Sequence, residues 1–227
     1  MSLESLLVRL VSFALLLPAI VLHEVSHGYV AYLLGDTTAK DRGRLTLNPL
    51  KHIDPWGTIL LPLLMVGLFG FGFGYAKPVP VNPYRFRNHR TGMFLTGIAG
   101  PATNLGLAVL AGVGVRALAA AGVTTGIAGQ IAVLAAYYFC LMNLSLMFFN
   151  LIPLPPLDGS RVLPLFLSDR AMVAYAKWEQ YGFLILFAFM WFSPRILGFD
   201  LIDGYFGVTV YPVLDFLTGI SSAVLGL

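Results

Sequence analysis

Charge is what this sequence has least of. Only 11% of its 227 residues are Asp, Glu, Lys or Arg, while 58% are hydrophobic, and the mean hydropathy is +0.81. A water-exposed globule carries about a quarter charged and about half apolar residues, so this chain has too little polar surface to cover one. Cysteine is nearly absent: Cys140 stands alone, which excludes an intrachain disulfide and leaves the redox compartment open. It lies in an apolar run, where a free cysteine packs as a small hydrophobe. Also missing are a low-complexity tail, a separate soluble domain and an internal repeat of the inverted kind. Nor is any serine or cysteine nucleophile set within a recognisable triad; Ser26 has no base at a suitable spacing. The isoelectric point of about 9.1 would admit nucleic acid as a partner. Here, however, the basic residues are scattered among apolar spans, where Lys and Arg mark cytoplasmic loops and anionic lipid heads. No nucleic-acid partner is expected.

What remains is long apolar stretches. A helix needs about 20 apolar residues to cross the hydrocarbon, and residues 6–34 exceed that. This run is also longer than the apolar core of a signal peptide and has no small-residue cleavage site before its polar motif, so it reads as a permanent span. Residues 91–118, 127–151, 178–192 and 205–225 meet the length or approach it. Residues 56–75 are less regular: Pro62 and then Gly67, Gly70, Gly72 and Gly74 give poor helix propensity, and the Phe-Gly alternation suits a strand or re-entrant loop. Charge agrees. If that stretch dips in and returns, Lys40, Arg42, Arg44 and Lys51 share the cytoplasmic side with Lys77, Arg85, Arg87 and Arg90. Arg161, Arg170 and Lys177 join them, and Arg9, Arg116 and Arg195 remain outside. The middle of the chain is rich in small residues, among them Gly97, Gly100, Gly106, Ala108 and Gly112, which let membrane helices approach closely.

Within the first span lies His23-Glu24-Val25-Ser26-His27. On a helix, residues four apart share a face, so both imidazoles can reach one metal ion. Glu24 adjoins the first ligand and can take a proton from water. Ionisable residues at that depth are costly and rarely stand there without a partner or a function. A mere pair of core histidines would leave Glu24 without a buried partner. Zinc suits two nitrogens and a carboxylate with a fourth position open. Asp158 is the best placed third ligand, in Asn150-Leu-Ile-Pro-Leu-Pro-Pro-Leu-Asp-Gly after a long apolar span. Pro153, Pro155 and Pro156 break the helix, and irregular backbone at membrane depth belongs where it is buried or lines a wet cavity. Asp158 could instead only cap a helix over residues 159–167.

These two motifs together, His-Glu-x-x-His and Asn-x-x-Pro-x-x-Pro-Leu-Asp-Gly, resemble the site-2 protease family of intramembrane metalloproteases. The intervening Gly97-Ile-Ala-Gly-Pro-Ala-Thr-Asn104 is similar to that family's Gly-Pro segment, so the likeness covers roughly residues 15–170. The resemblance implies that His23, His27 and Asp158 bind one Zn2+ per chain and that Glu24 is the catalytic base. It also implies that Asn150 lies near the metal, either bonding substrate and oxyanion or bonding helix to helix. Residues 75–83 are extended by their prolines. They would form either a sheet near the active site that receives the substrate as an added strand or a plain connector. His52 reads as an interfacial loop residue or a gate, Asp54 as a cap or turn former and His89 as solvated. The role of Asn104 stays open.

The expected fold is therefore an α-helical integral membrane protein. It would be a bundle of five to six transmembrane helices with a re-entrant segment and a small β element near the active site. Residues 1–227 form one domain: a metal-binding helix at about 5–34, a re-entrant or β region at about 45–90, core helices at about 91–170 and C-terminal helices at about 176–227. The chain resembles compact bacterial or archaeal members without a PDZ domain, in a prokaryotic plasma membrane. The expected activity is cleavage of transmembrane protein substrates within the bilayer. The rival readings are a metal-ion transporter with the same ligands and a silent membrane-binding relative.

Overall fold

A computed structural model of the chain describes residues 3–69, 77–123 and 126–225. Its long helices are α1 (Leu3–Leu33), α4 (His89–Ala120) and α5 (Ile127–Asn150), with α8 (Leu201–Thr218) completing the core. Between them come the one-turn α2 (Thr38–Asp41), the short α3 (Leu61–Phe69), α6 (Asp169–Glu179) and α7 (Gly182–Leu197). α4 packs most extensively on α5 and then on α1, and α8 lies against both α4 and α5.

Local chemistry sets the element ends. Asn88 caps α4 by accepting from the Thr91 N–H at 3.1 Å. Asp54 caps the Pro55–Leu60 π-helical turn that runs into α3, accepting from Trp56 and Gly57 at 2.9 Å each. α7 stops at Gly198, whose φ of +74° is the left-handed conformation glycine adopts without a Cβ clash.

The core mixes small side chains with a few large ones. Ala108 and Val115 of α4 meet Tyr137, Cys140 and Leu144 of α5 and Val210 and Leu214 of α8. Cys140 is fully buried there, with its Sγ–H donating to the Ala108 carbonyl at 3.3 Å. At Gly112 an added Cβ would stand 2.8 Å from the Leu217 Cβ, so α4 and α8 touch nearly backbone to backbone. Outward, Leu110, Ile127, Val208 and Phe216 are each at least 70% exposed. Such a surface is tolerable against lipid and would drive association in water.

Side-chain pairings fix the directions. His23 and His27 meet Asn104 and Thr96, respectively, so α1 and α4 are antiparallel. The Asn104–Asn143 and Ala108–Cys140 contacts make α4 and α5 antiparallel as well. Tyr205, near the start of α8, donates to the Phe148 carbonyl near the end of α5 at 3.1 Å. α8 therefore begins at the end of the bundle where α5 finishes.

This changes the expected count of spans. Three stretches are long and apolar enough to cross a bilayer: Ala14–Leu33, His89–Ala120 and Ile127–Asn150. A fourth exists if α7 and α8, bent by 103° at the break between them, are taken as one broken span. Five to six spans are not reached among the described residues. Residues 178–192 and 205–225 each look like a span in a hydropathy window, but the window does not see the bend. α7, with 16 residues, is about 24 Å long and falls short of the hydrocarbon thickness of about 30 Å.

The segment expected to be a strand or re-entrant loop is not a strand where it is described. From Pro55 to Phe69 it is helical, first as a π turn and then as α3; the Phe-Gly repeat at 70–76 lies outside the described residues. Its two ends nevertheless meet, because the Lys77 N–H donates to the His52 carbonyl at 2.9 Å. After it, residues 77–82 run extended but unpaired, and no β-strand occurs among the described residues. Pro78, Pro80 and Pro83 remove the N–H groups that a ladder needs.

Asp36 ties this extended segment to the end of α1. Its fully buried carboxylate accepts from the Thr38 N–H at 3.0 Å, the Thr38 hydroxyl at 2.5 Å and the Asn82 N–H at 2.6 Å. Burial pushes its pKa up, but the bonds from Thr38 and Asn82 and the nearby Arg85 charge prevail and hold it below the ordinary carboxylate value. A carboxylate whose pKa is depressed by folding stabilises fully above its unfolded pKa and loses that contribution as pH falls through its folded pKa. Asp36→Asn is therefore expected to cost about 1–3 kcal/mol at neutral pH. In detergent melts taken over a pH series, the gap from wild type should close at acid pH; a gap independent of pH would refute the assignment.

Candidate metal centre

The motif of the first span sits where α1 crosses α4. His23 and His27 are one helical turn apart, both buried, with ring centroids 4.7 Å apart at 82°. Their Nε2 atoms face one oxygen of Asp158: Oδ2 is 3.0 Å from His23 and 3.1 Å from His27. Residues 135 positions apart in the chain thus converge, and one ligand atom from each of the three lies within 4.8 Å of the others.

The donor set is suited to zinc. His27 Nδ1 lies 2.6 Å from the Thr96 carbonyl, which can only accept, so this nitrogen carries the proton. His23 Nδ1 lies 2.5 Å from Asn104 Oδ1 and is likewise a donor. In the neutral rings both Nε2 lone pairs then point at a carboxylate oxygen. Unless a ring takes up a second proton, acceptors facing acceptors at 3 Å need a metal cation between them. Zinc bonds of about 2.0–2.1 Å at tetrahedral angles separate ligand atoms by about 3.3 Å, close to the spacing found.

α4 shapes the other wall with one face, Thr96, Gly100 and Asn104, spaced four residues apart. A Cβ on Gly100 would fall 2.5 Å from His23 Nε2 and 2.5 Å from His27 Nε2. Only a residue without a side chain leaves room for the rings. Asp158 arrives on the irregular chain after α5. Gly159 lets that loop fold back, since a Cβ there would be 2.3 Å from the Leu151 carbonyl oxygen. Asp158 opens a 3-10 turn, Asp158–Arg161, whose N-cap is Leu157 and which has no side-chain capping bond. The capping alternative for Asp158 is therefore set aside. Its second oxygen, Oδ1, lies 3.5 Å from Arg161 Nη1.

Glu24 is half-buried beside this cluster, and its Oε2 accepts from the Val79 N–H at 2.9 Å. The extended segment over which it lies is clamped at several points. Arg44 donates to the Lys77 carbonyl at 2.7 Å, and Asp36 holds Asn82. Beneath it, Gly28 admits Val79; an added Cβ would meet Val79 Cγ1 at 2.6 Å.

Other sequence candidates fall elsewhere. Asn150 ends α5, with its amide donating back to the Leu146 carbonyl at 2.9 Å, and it makes no hydrogen bond to His23, His27 or Asp158 among the described residues. His52 lies in a loop but is buried there; its Nε2 pairs with the Thr46 carbonyl at 2.8 Å, stapling the loop. His89 is exposed at the start of α4. Ser26 Oγ donates to the His23 carbonyl at 2.6 Å, as an ordinary helical back-bond.

Against this geometry, comparison with known proteins is decisive. The model of Peptidase family M50 matches residues 126–193. YwhC of Bacillus subtilis, provisionally named a zinc metalloprotease, is 40% identical over 178 residues, which is 75% of this chain and 75% of that protein. The chain belongs to peptidase family M50, the site-2 protease family. Other M50 relatives run further along it. Rip2 of Mycolicibacterium smegmatis, with a name of the same kind, is 32% identical over 209 residues, 91% of this chain and 73% of that protein. Rip2 of Mycobacterium tuberculosis is 30% identical over 208 residues, 90% of this chain and 73% of that protein. No solved structure matches the chain.

Several residues of this M50 site were not assigned by the sequence. Gly100, the Thr96 carbonyl, Asn143, Arg161 and the Val79 N–H all contact His23, His27, Asp158, Glu24 or the side chains that hold them. A signal existed for some of them: Asn104 and Asn143 are polar residues in otherwise apolar helices, which is costly without a partner.

Proposed function

We propose that this chain is an intramembrane zinc endopeptidase that cuts membrane proteins within or beside their transmembrane segments. The observation that carries this reading is the meeting of His23, His27 and Asp158 below the ends of α1 and α4, with Glu24 alongside. His23, His27 and Asp158 hold one zinc per chain, and Glu24 is the base; family membership and the zinc-metalloprotease names of the relatives support both assignments. Zinc in such a donor set polarises a carbonyl and makes water nucleophilic near neutral pH.

The chain's own residues supply the rest. The Val79 N–H holds Glu24 by one oxygen. The other is left to take the proton of the attacking water and pass it to the leaving amine. No covalent intermediate is required. Beyond Val79, the Val79 carbonyl and the Val81 N–H and carbonyl carry no hydrogen bond among the described residues. They offer an edge on which an unwound substrate segment adds as a strand. That pairing would supply the β element expected from the sequence. An apolar pocket of about 240 Å³, lined by Leu17, Pro18, Val21, Leu22, Leu47 and Pro49, lies just before Glu24 on α1 and suits a hydrophobic substrate side chain. Asn150 serves the developing oxyanion if its amide turns from Leu146.

The same contacts support a topology. The hydrogen bond between Lys77 and His52 favours a re-entrant reading, in which the chain between them leaves and returns on one side. The flanking basic residues then share the cytoplasmic side of a prokaryotic plasma membrane, as the positive-inside tendency favours. The bacterial sources of the relatives agree with that location.

The test is to incubate purified, zinc-loaded protein with a panel of single-span peptides in detergent and map the cuts by mass spectrometry. Cuts in or next to the apolar span are expected. Asp158→Ala should reduce bound zinc from about one per chain to near zero and abolish cutting. Metal flux into sealed vesicles without any cleavage would overturn the proposal in favour of a carrier.

A further inference from the structure

His23 and His27 differ in how their outer nitrogens are held. His27 Nδ1 ends directly on a backbone carbonyl, that of Thr96. His23 Nδ1 ends on a side chain, Asn104, and an amide could present either its oxygen or its nitrogen. With the nitrogen toward the ring, His23 Nδ1 would have to be the acceptor. Its proton would then sit on Nε2, aimed into the metal site, and His23 could not be a ligand. Something must exclude that arrangement.

The geometry points to Asn143 as the residue that does so, acting through Asn104 as a positioning relay. Both amides are fully buried, so a wrong orientation would leave buried polar groups facing like partners. Asn143 Nδ2 lies 2.8 Å from the Phe139 carbonyl, one turn back on α5. A carbonyl only accepts, so Asn143 must turn its NH2 there and its Oδ1 toward α4. Asn104 Nδ2 meets that Oδ1 at 2.8 Å, which leaves Asn104 Oδ1 facing His23 Nδ1 at 2.5 Å. Each orientation forces the next. The chain Phe139 carbonyl, Asn143, Asn104, His23 thus ends, like that of His27, on a backbone carbonyl. It commits His23 to the tautomer whose Nε2 lone pair faces Asp158. Asn143 touches neither a ligand atom nor the reaction, yet sets what His23 can do.

This rests on the metal-ligand reading proposed above, and the experiment separates the two. Zinc affinity of the purified chain is measured by chelator competition, alongside the visible absorption spectrum of the Co2+-substituted protein. His23→Ala should abolish binding; a wild-type chain that takes up no zinc sinks the metal centre and the relay together. With zinc bound by wild type, Asn143→Leu should weaken affinity about 10- to 100-fold, the range found for outer partners of ligating histidines, and alter the Co2+ spectrum. Asn104→Leu should weaken it at least as much. The double variant should be no worse than Asn104→Leu alone, because Asn143 acts only through Asn104. Asn104→Asp, which keeps an acceptor at the ring, should retain zinc within a few-fold of wild type. Unchanged affinity in Asn143→Leu, or losses that add in the double variant, would overturn the relay. Should the leucine variants fail to fold, Asn104→Asp decides: a loss as large as that expected for Asn104→Leu overturns it.

Discussion

Replacing Glu24 with glutamine should leave a chain that takes up zinc like wild type but cuts membrane peptides about 100- to 10,000-fold more slowly, the span ascribed to a positioned acid or base. Glutamine is nearly isosteric, and its carbonyl oxygen can still accept from the Val79 N–H, which lies 2.9 Å from the present carboxylate. The local fold therefore survives the change. What is lost is the proposed base, and among the described residues no other carboxylate or free imidazole is positioned to replace it. Asp158 faces the two histidines, and His52 is bonded to the Thr46 carbonyl. Zinc content and single-turnover cleavage, measured on the same preparation, check this. Cleavage at the wild-type rate would refute the mechanism.

The second large effect is expected at a residue with no functional group. Gly100→Ala adds one methyl to α4, and its Cβ would stand 2.5 Å from His23 Nε2, 2.5 Å from His23 Cε1 and 2.5 Å from His27 Nε2. The rings cannot simply retreat, because Asn104 and the Thr96 carbonyl hold their far sides. Zinc affinity should fall on the order of 100-fold or more, beyond the range for outer-partner changes, and cleavage should fall with it. The helix itself should not suffer, because alanine is the better helix former by about 1 kcal/mol. Gly106→Ala is the matched control in the same helix: nothing lies within 4 Å of its added Cβ, and zinc affinity should stay at the wild-type level. Equal zinc affinity in wild type and Gly100→Ala would show that α4 does not pack on the ligands as described.

The convergence of His23, His27 and Asp158, the proposed metal ligands, was legible because their chemistry is written in residue types. Paired imidazoles four apart, a carboxylate in a proline-broken loop and an apolar setting leave few other uses for His23, His27 and Asp158. The supports were less legible, since a backbone carbonyl such as that of Thr96 has no sequence signature and Gly100 reads as one more small residue in a small-residue helix. Asn104 was visible as a polar residue at depth, but its partner Asn143 lies 39 positions away, and only the fold pairs them. Hydropathy picked out the long apolar stretches but expected more spans than the three or four the described helices supply, because α7 and α8 are apolar on both sides of a 103° bend. The proline-rich segment at 77–82 runs without helix as expected, but it is unpaired within the chain, because its prolines remove donors from one strand's worth of ladder.

The long separation between the imidazoles and Asp158 has a consequence for biogenesis. When α1 leaves the translocation machinery, it carries two nitrogens and a base but no third protein ligand, and nothing yet walls the rings. Only after a further 131 positions, the separation of His27 from Asp158 and hence well past α5, does the ribosome deliver the missing oxygen. On the proposed ligand set, a nascent or truncated molecule would lack a complete metal site, and hydrolytic competence would arrive only with assembly.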